Sequence, residues 1–420
     1  MKKKPSPVLR RRRLCLFAAG LIVFSVFIFA YAHHPVNKPS ESGFIRAVGE
    51  TLVDGEGNEI RLRGTNIGSW LVPEGWMSIL LIDGQDDIQE GKNLTYLKLI
   101  QALADNPDVG SVSAAEELYN VFIENWFTEA DVAFLKSSGF NCIRLPFGWF
   151  TLYDQDFQLR ADAYKWLDRC VEWCEKYEMY LLLDCHAAFG SQNGKHHSGD
   201  DTQCSLYSDK RNMELTTQMW VGIAQRYRGC KWIAGYDLLN EPEGRGGLTW
   251  FTQWNYYDEL YRAIRKVDPN HLIIIESCWV FQNLPNPALY GWENVAYEFH
   301  WYNPDTKNIT MQNFIRLQSL SRAFSVYRNV PVIIGEFALG DHYDDLEMLL
   351  DHFDKKGWSW MSWTYKTNTS WNWGMLCLWR ERLSVSHASC EEISAAWQDV
   401  RSDFNARSEG FQNLERYLSR

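Results

Sequence analysis

Two glutamates at the ends of apolar runs are the residues of this sequence best suited to chemistry. Leu239-Asn240-Glu241-Pro242 follows Ile233-Ala234-Gly235-Tyr236-Asp237-Leu238, and Gly335-Glu336-Phe337 follows Val330-Pro331-Val332-Ile333-Ile334. Each run reads as a short buried strand. A charge at the end of such a strand costs free energy unless it is paired or used. The C-terminal ends of parallel barrel strands are also where barrel folds gather reactive groups. Two carboxyl groups so placed are what glycosidic bond cleavage needs, one as acid/base and one as nucleophile. A salt-bridged strand terminus would account for either glutamate alone, but less readily for both.

The chain that must position them has 420 residues, enough for one large barrel domain. Eight strand-like runs are legible, at 60–67, 141–147, 180–186, 233–240, 272–277, 295–302, 330–337 and 358–365. Apolar residues at helical spacing fall at 129–138, 161–177, 213–228, 248–267, 311–328, 344–356 and 391–404. This alternation predicts an α/β fold of the (β/α)8 TIM-barrel type. Phe44–Val53 and Ile60–Ile67 flank Asp54-Gly55-Glu56-Gly57-Asn58 and predict an N-terminal β-hairpin. Long segments follow strands one and three. The first, 68–128, is expected to hold helices near 93–104 and 114–124, and the second, 187–212, is polar and contains glycine. Both lie on the C-terminal face, where they would shape a substrate groove. Read at their C-terminal ends, strands two to eight offer Arg144, then Asp184 with His186, Asn240 with Glu241, Glu276, His300 with Tyr302, Glu336, and Trp363.

A net charge of −11 gives no basic footprint and argues against nucleic acid. Aromatic residues make up 15%, with 20 Trp. Trp is costly to bury completely because its N–H needs a partner, so an excess points to flat exposed platforms of the kind that suit sugar rings. Trp70, Trp149, Trp279, Trp301 and Trp371 are candidate platforms, and each fits a core position equally well. No Cys or His spacing suggests a metal, and His33-His34 and His196-His197 read as solvated loop residues. Cys142 and Cys185 read as buried thiols. Cys170 and Cys174 share a helix face without bonding, and Cys377 with Cys390 is the favoured disulfide. Lys2–Lys4 and Arg10–Arg13 precede an apolar run from Leu14 to Ala32, near the length that spans a bilayer. Residues 1–32 are thus expected to be a basic tail with a signal anchor, or a signal peptide cleaved near Ala32. Residues 33–43 form a linker and 44–420 a single domain held outside the cytosol, extracellular or at the cell surface. Sequons at Asn93, Asn308 and Asn368 could carry glycans.

Taken together, these residues resemble glycoside hydrolase family 5, in the clan of retaining barrel glycosidases. The family's eight functional positions are matched by Arg144, His186, Asn240, Glu241, His300, Tyr302, Glu336 and Trp363, and the resemblance spans roughly 44–404. It implies Glu241 as acid/base and Glu336 as nucleophile, with carboxyls about 5–5.5 Å apart and retention of configuration. Arg144 and Tyr302 would hold Glu336 ionised, and Asn240 would bond the sugar 2-hydroxyl. His186 and His300 would bind hydroxyls or orient the carboxylates, and Trp363 would form the floor beneath the sugar. By residue type alone His186 also fits a satisfied core histidine, and Glu276 reads as supporting rather than reacting.

Three segments resemble the exo-β-1,3-glucanase branch: Gly64-Thr65-Asn66-Ile67-Gly68-Ser69-Trp70-Leu71-Val72-Pro73-Glu74, Asp184-Cys185-His186-Ala187-Ala188-Phe189-Gly190-Ser191-Gln192-Asn193-Gly194, and Trp363-Thr364-Tyr365-Lys366-Thr367. That branch usually carries a second Gly where Ser69 stands. The expected function is hydrolysis of β-glucosidic bonds in β-1,3-linked or related glucans, without cofactor, on an oligo- or polysaccharide, with Trp70 among the substrate-binding residues. Alternatives are a glucosylceramide-type glycolipid hydrolase, favoured if Trp76–Ile82 forms an apolar patch, a cellulase- or mannanase-type endoglycosidase, and a catalytically silent carbohydrate-binding barrel.

Overall fold

The structure is a computed structural model, and it describes residues 43–84, 93–243, 250–277, 284–302, 310–323, 329–340, 342–368 and 373–420. The N-terminal run 1–42, including the expected anchor and linker, lies outside the described residues, as do Trp279 and Trp371. Among the described residues no helix is long and apolar enough to cross a membrane.

Three short strands open the domain: β1 (Arg46–Val48), β2 (Thr51–Val53) and β3 (Glu59–Ile60) form an antiparallel sheet. The expected hairpin is therefore present, but its second arm divides. Ile60 closes the hairpin, while β4 (Arg63–Asn66) enters the barrel. After β5 (Leu80–Leu81) come β6 (Cys142–Gly148), β7 (Tyr180–Ala187), β8 (Ile233–Asp237), β9 (Leu272–Glu276), β10 (Val295–His300), β11 (Val332–Glu336) and β12 (Ser359–Ser362). Strands β4 and β6 to β12 close a parallel eight-stranded barrel in sequence order. Runs such as Leu181-Leu182-Leu183 and Leu272-Ile273-Ile274-Ile275 suit this position because parallel strands are buried on both faces.

The interior is layered. At the lower level Leu62, Cys142, Leu182, Ala234, Leu272, Ile274, Ala296, Ile333 and Met361 form one apolar cluster, joined by Ile45 and Leu52 of the N-terminal segment. The hairpin thus closes the bottom of the barrel. Side chains two residues apart on a strand share a face. Continuing inward from Leu182, Ile274 and Ala296 therefore gives Asp184, Glu276 and Glu298, and one step further His186 and His300. The same period-two geometry that packs the apolar floor lifts a charged layer above it.

The insertion after β4 holds the helices Tyr96–Asp105 and Val112–Trp126, capped by the Thr95 and Ser111 hydroxyls. Met77, Ile79 and Leu80 within it are buried, and Leu80–Leu81 pairs with Leu383–Ser384, so 76–82 is not an exposed apolar patch. The last expected helix is shorter, Cys390–Gln398, and a further helix, Glu409–Leu418, follows it. The disulfide expected between Cys377 and Cys390 is absent. Cys377 N–H donates to Ala406 O, while Cys390 begins a helix held by a Ser389–Glu392 capping box and directs its thiol to Asp108 O. Cys170 and Cys174 are buried free thiols, as are Cys142 and Cys185. The amide of Asn368 is spent on Arg380, donating to its carbonyl at 2.8 Å and accepting from its N–H at 2.8 Å, and the residue is buried, so this sequon offers no free glycan acceptor.

Candidate active site

The charged layer is organised by one cation. Arg144 of β6 is fully buried, and all five of its N–H groups find acceptors. Nε and Nη2 donate to Asp237 Oδ2 at 3.0 and 2.7 Å, and Nη2 also donates to Asn240 Oδ1 at 3.0 Å. Nη1 donates to Asn66 Oδ1 at 2.9 Å and to Glu336 Oε1 at 3.1 Å. The β4 residue Asn66 is itself tied by its amide to Gly335 O at 2.8 Å, which fixes the end of β11. Arg144 thus orients both strand ends that carry the two glutamates.

Glu336 ends β11, and its second oxygen accepts from the Tyr302 hydroxyl at 2.7 Å. Glu241 lies just beyond β8 in a left-handed backbone conformation, φ 41°. That unfavourable geometry is held from below and from the side. Glu241 N–H donates to Glu276 Oε2 at 2.8 Å, and Asn193 Nδ2 donates to Glu241 O at 3.2 Å. Gln192 Nε2 donates to Asn240 O at 2.9 Å and to His186 O at 2.7 Å. Ser191-Gln192-Asn193-Gly194 is therefore the brace of the β7 and β8 ends, and Glu276, outside the eight positions of the family pattern, supports the Glu241 backbone.

His300 stands between the two glutamates, with Nδ1 2.9 Å from Glu241 Oε1 and 3.3 Å from Glu336 Oε2. One oxygen of each glutamate and a ring nitrogen of His300 lie within 4.8 Å of one another. Glu276, Glu298 and His300 form a second such trio. His186 Nδ1 is 2.6 Å from Asp184 Oδ2, and the His186 ring stacks on buried Trp363 with centroids 5.5 Å apart at 9°. All eight residues named from the family pattern thus meet in one place.

Protonation differs from the simple expectation of a neutral Glu241 beside an ionised Glu336. Although burial opposes it, hydrogen bonds from His197 and then His300 hold the Glu241 carboxyl well below the ordinary range. Burial, opposed by Arg144 and reinforced by the Glu241 charge, pushes Glu336 up. Burial holds His300 down to about 4, so it is neutral. His197 rises because Glu241 outweighs its desolvation. The coupled groups define a window. Above the Glu336 value that carboxyl is ionised, and below the point at which the Glu241–His197 pair loses its last proton that pair still holds one.

His197 was missed by sequence reasoning, which placed His196-His197 in solvent. His197 is buried, with Nε2 3.3 Å from Glu241 Oε2. His196 Nε2 lies 3.3 Å from Glu74 Oε2, which also accepts from Trp76 Nε1 at 2.8 Å. The available signal was position, because both histidines follow the brace on the catalytic face. Flat aromatics extend outward from Tyr302, which bonds Glu336: Trp373 lies 5.6 Å from the Tyr302 ring, and Trp76 lies 5.7 Å from Trp373. Trp70 is not among them. It is fully buried, donates Nε1 to Ile123 O at 2.8 Å and packs on Phe127 and Trp173. Trp149 packs on Phe189, and Trp301 on Phe353 and Trp358. Ser69 occupies a left-handed position, φ 59°, which explains the glycine usual there. Its hydroxyl compensates by accepting from Glu74 N–H at 3.1 Å.

A family model, Cellulase (glycosyl hydrolase family 5), matches residues 111–369. A β-xylosidase of Phanerodontia chrysosporium is 34% identical over 266 residues, covering 62% of this chain and 52% of that protein. A glucan 1,3-beta-glucosidase of Candida oleophila is 31% identical over 264 residues, covering 58% of each. The native form of a beta-glucanase from Saccharophagus degradans has a TM-score of 0.51 at 21% identity, covering 87% of this chain and 98% of that one, a likeness of fold. The chain spans about half to three-fifths of the length of the two curated relatives it matches.

Proposed function

The chain belongs to glycosyl hydrolase family 5, and from that premise we propose that it is a retaining glycoside hydrolase cleaving β-glucosidic bonds in β-1,3-linked or related glucans. The observation that carries this reading is the approach of Glu241 and Glu336 to within 4.8 Å, oxygen to oxygen, at the C-terminal end of the barrel. That separation suits direct attack by one carboxylate and leaves too little room for an inverting enzyme's water. Glu336 attacks the anomeric carbon while the proton held by the Glu241–His197 pair passes through Glu241 Oε to the departing glycosidic oxygen. Glu241 then takes a proton from water, which displaces Glu336 and restores both groups. Arg144 and Tyr302 stabilise Glu336 whenever it carries charge. Asn240, its carbonyl held by Arg144, is placed to meet the 2-hydroxyl with its amide, and Trp363 floors the sugar ring.

The likeness to a glucan 1,3-beta-glucosidase supports a β-glucan substrate, and the likeness to a β-xylosidase makes xylosides the necessary control. Burial of Met77, Ile79 and Leu80 removes the motive for a lipid-facing site. The basic tail and apolar run of residues 1–32 support placement outside the cytosol, as an anchored or a cleaved form. The N-terminal residue and the membrane partitioning of the mature protein distinguish these two. The functional test is product analysis of purified protein on laminarin, mixed-linkage β-glucan, carboxymethylcellulose, β-1,6-glucan, mannan, xylan and glucosylceramide. Glucose released early from laminarin is the expected result. Turnover confined to xylan, mannan or glucosylceramide would replace the substrate assignment.

A further inference from the structure

Four carboxyl groups besides Glu336 surround Arg144: Asp184, Asp237, Glu276 and Glu298 come within 3.1, 2.7, 3.9 and 3.0 Å of its guanidinium. All are fully buried, and one cation cannot balance five anions. Donor counting separates them. Asp237 takes two Arg144 N–H groups. Asp184 has the His186 ring, and Glu276 has the backbone N–H of Glu241. Glu298 has the charge of Arg144 nearby, Oε1 lying 3.0 Å from Nη2, but no hydrogen bond: the five Arg144 N–H groups donate elsewhere, and neither Glu298 oxygen has a donor. Asp237 Oδ1 also lacks one, and the carboxyl groups of Asp237 and Glu298 are hydrogen-bonding neighbours. Two acceptors facing each other in a dry interior bond only if a proton lies between them.

We propose that Glu298 is a positioning residue held as a neutral carboxylic acid beneath the two catalytic glutamates, so that Arg144 keeps its charge for Asp237 and Glu336. Space for it is built in. A Cβ on Gly335 would stand 1.7 Å from Glu298 Oε1, so the residue immediately before the nucleophile must be glycine for this carboxyl to fit. Burial drives Glu298 well above the ordinary carboxyl range against the pull of Arg144, with the Asp237 charge adding to the rise. The other groups around it supply no second cation. His300 Nε2 lies 3.7 Å away on a neutral ring, and burial keeps Cys142 and Tyr257 un-ionised. An ionised Glu298 would add a negative charge beside Glu336 and divide Arg144 further. A neutral one donates to Asp237 and leaves the Arg144–Glu336 contact intact.

The test joins infrared and kinetic readouts. Glu298→Gln keeps shape and neutrality, and its amide can donate where the acid did. The wild-type-minus-variant infrared spectrum at mildly alkaline pH is expected to show one carboxylic-acid C=O band. Loss of an ionised carboxylate band instead would overturn the proposal. The acid limb of the kcat/KM profile is expected to stay in place. A shift to lower pH by about a unit, the sign of a removed anion, would overturn it. Glu298→Leu, which cannot donate to Asp237, is expected to lower kcat about tenfold with KM little changed. Equal kcat in the Leu and Gln variants would refute the positioning role. If the variants do not fold, persistence of the acid band through an alkaline titration of the wild type decides the matter. The kinetic arm rests on Glu336 being the nucleophile, whereas the infrared arm does not.

Discussion

Replacing Tyr302 by Phe removes one hydroxyl and leaves the ring against Trp373. The lost bond is the 2.7 Å donation to Glu336 Oε2, while the 3.1 Å contact of Arg144 with Oε1 remains. A hydrogen bond to a charged group is worth about 1.5–3 kcal/mol, and a pKa unit corresponds to about 1.4 kcal/mol, so the Glu336 value should rise by about 1–2 units. The sign follows from the bond, which favours the ionised carboxylate. Without it the proton is held to higher pH, and the nucleophile works only when ionised. The acid limb of kcat/KM should therefore move up by about 1–2 units, and well below that limb the variant should lose about 10–100-fold against wild type. An aryl β-glucoside with a very good leaving group is the right substrate, because the first step then asks little of Glu241. An acid limb that stays in place while kcat falls would refute the claim that Tyr302 acts through the charge of Glu336.

Other expectations are equally direct. Glu241→Ala should largely spare the first step for substrates with very good leaving groups and abolish it for poor ones, by pre-steady-state release. Equal loss on both would contradict the acid role. Trp70→Ala should destabilise the fold by about 3–5 kcal/mol in denaturant titration and leave KM unchanged; a raised KM with unaltered stability would return Trp70 to the groove. Asp184 and Asp237, lifted chiefly by burial to about 7 and about 6 from 3.8, bind protons more tightly folded than unfolded. Their contribution to stability is full below the unfolded value and is lost as pH rises through the folded ones, by at most about 1.4 kcal/mol per unit and group. Thermal stability should therefore fall between about pH 4 and pH 7, and Asp184→Asn should flatten that slope.

Much of the barrel was legible because parallel buried strands leave a simple trace, an apolar run ending in a polar residue. His186, Glu241, His300 and Glu336 stand at or just beyond such ends, Arg144 lies within its longer strand, and the folded chain brings them together. The eight-strand order followed from alternation alone. Tryptophan was harder to read. A count of 20 suggested platforms, yet Trp70 satisfies its N–H with a backbone carbonyl and is core, whereas Trp373 lies against Tyr302, the partner of Glu336, with Trp76 beyond it. Side-chain type does not reveal whether a loop folds inward, and His197 was misread for the same reason. Glu298 carried a signal that went unused. It lies two residues before His300 on one strand and must therefore face the same interior.

Trapping with a 2-deoxy-2-fluoro-β-glucoside bearing a good leaving group tests the central claim most directly. The fluorine slows the second step, so a glycosyl-enzyme should accumulate. Intact mass and peptide mapping are predicted to find one sugar ester, on Glu336, absent from Glu336→Gln, with β-configured sugar as the first product of ordinary turnover. An adduct on Glu241, or no adduct together with α-configured product, would contradict a nucleophilic Glu336.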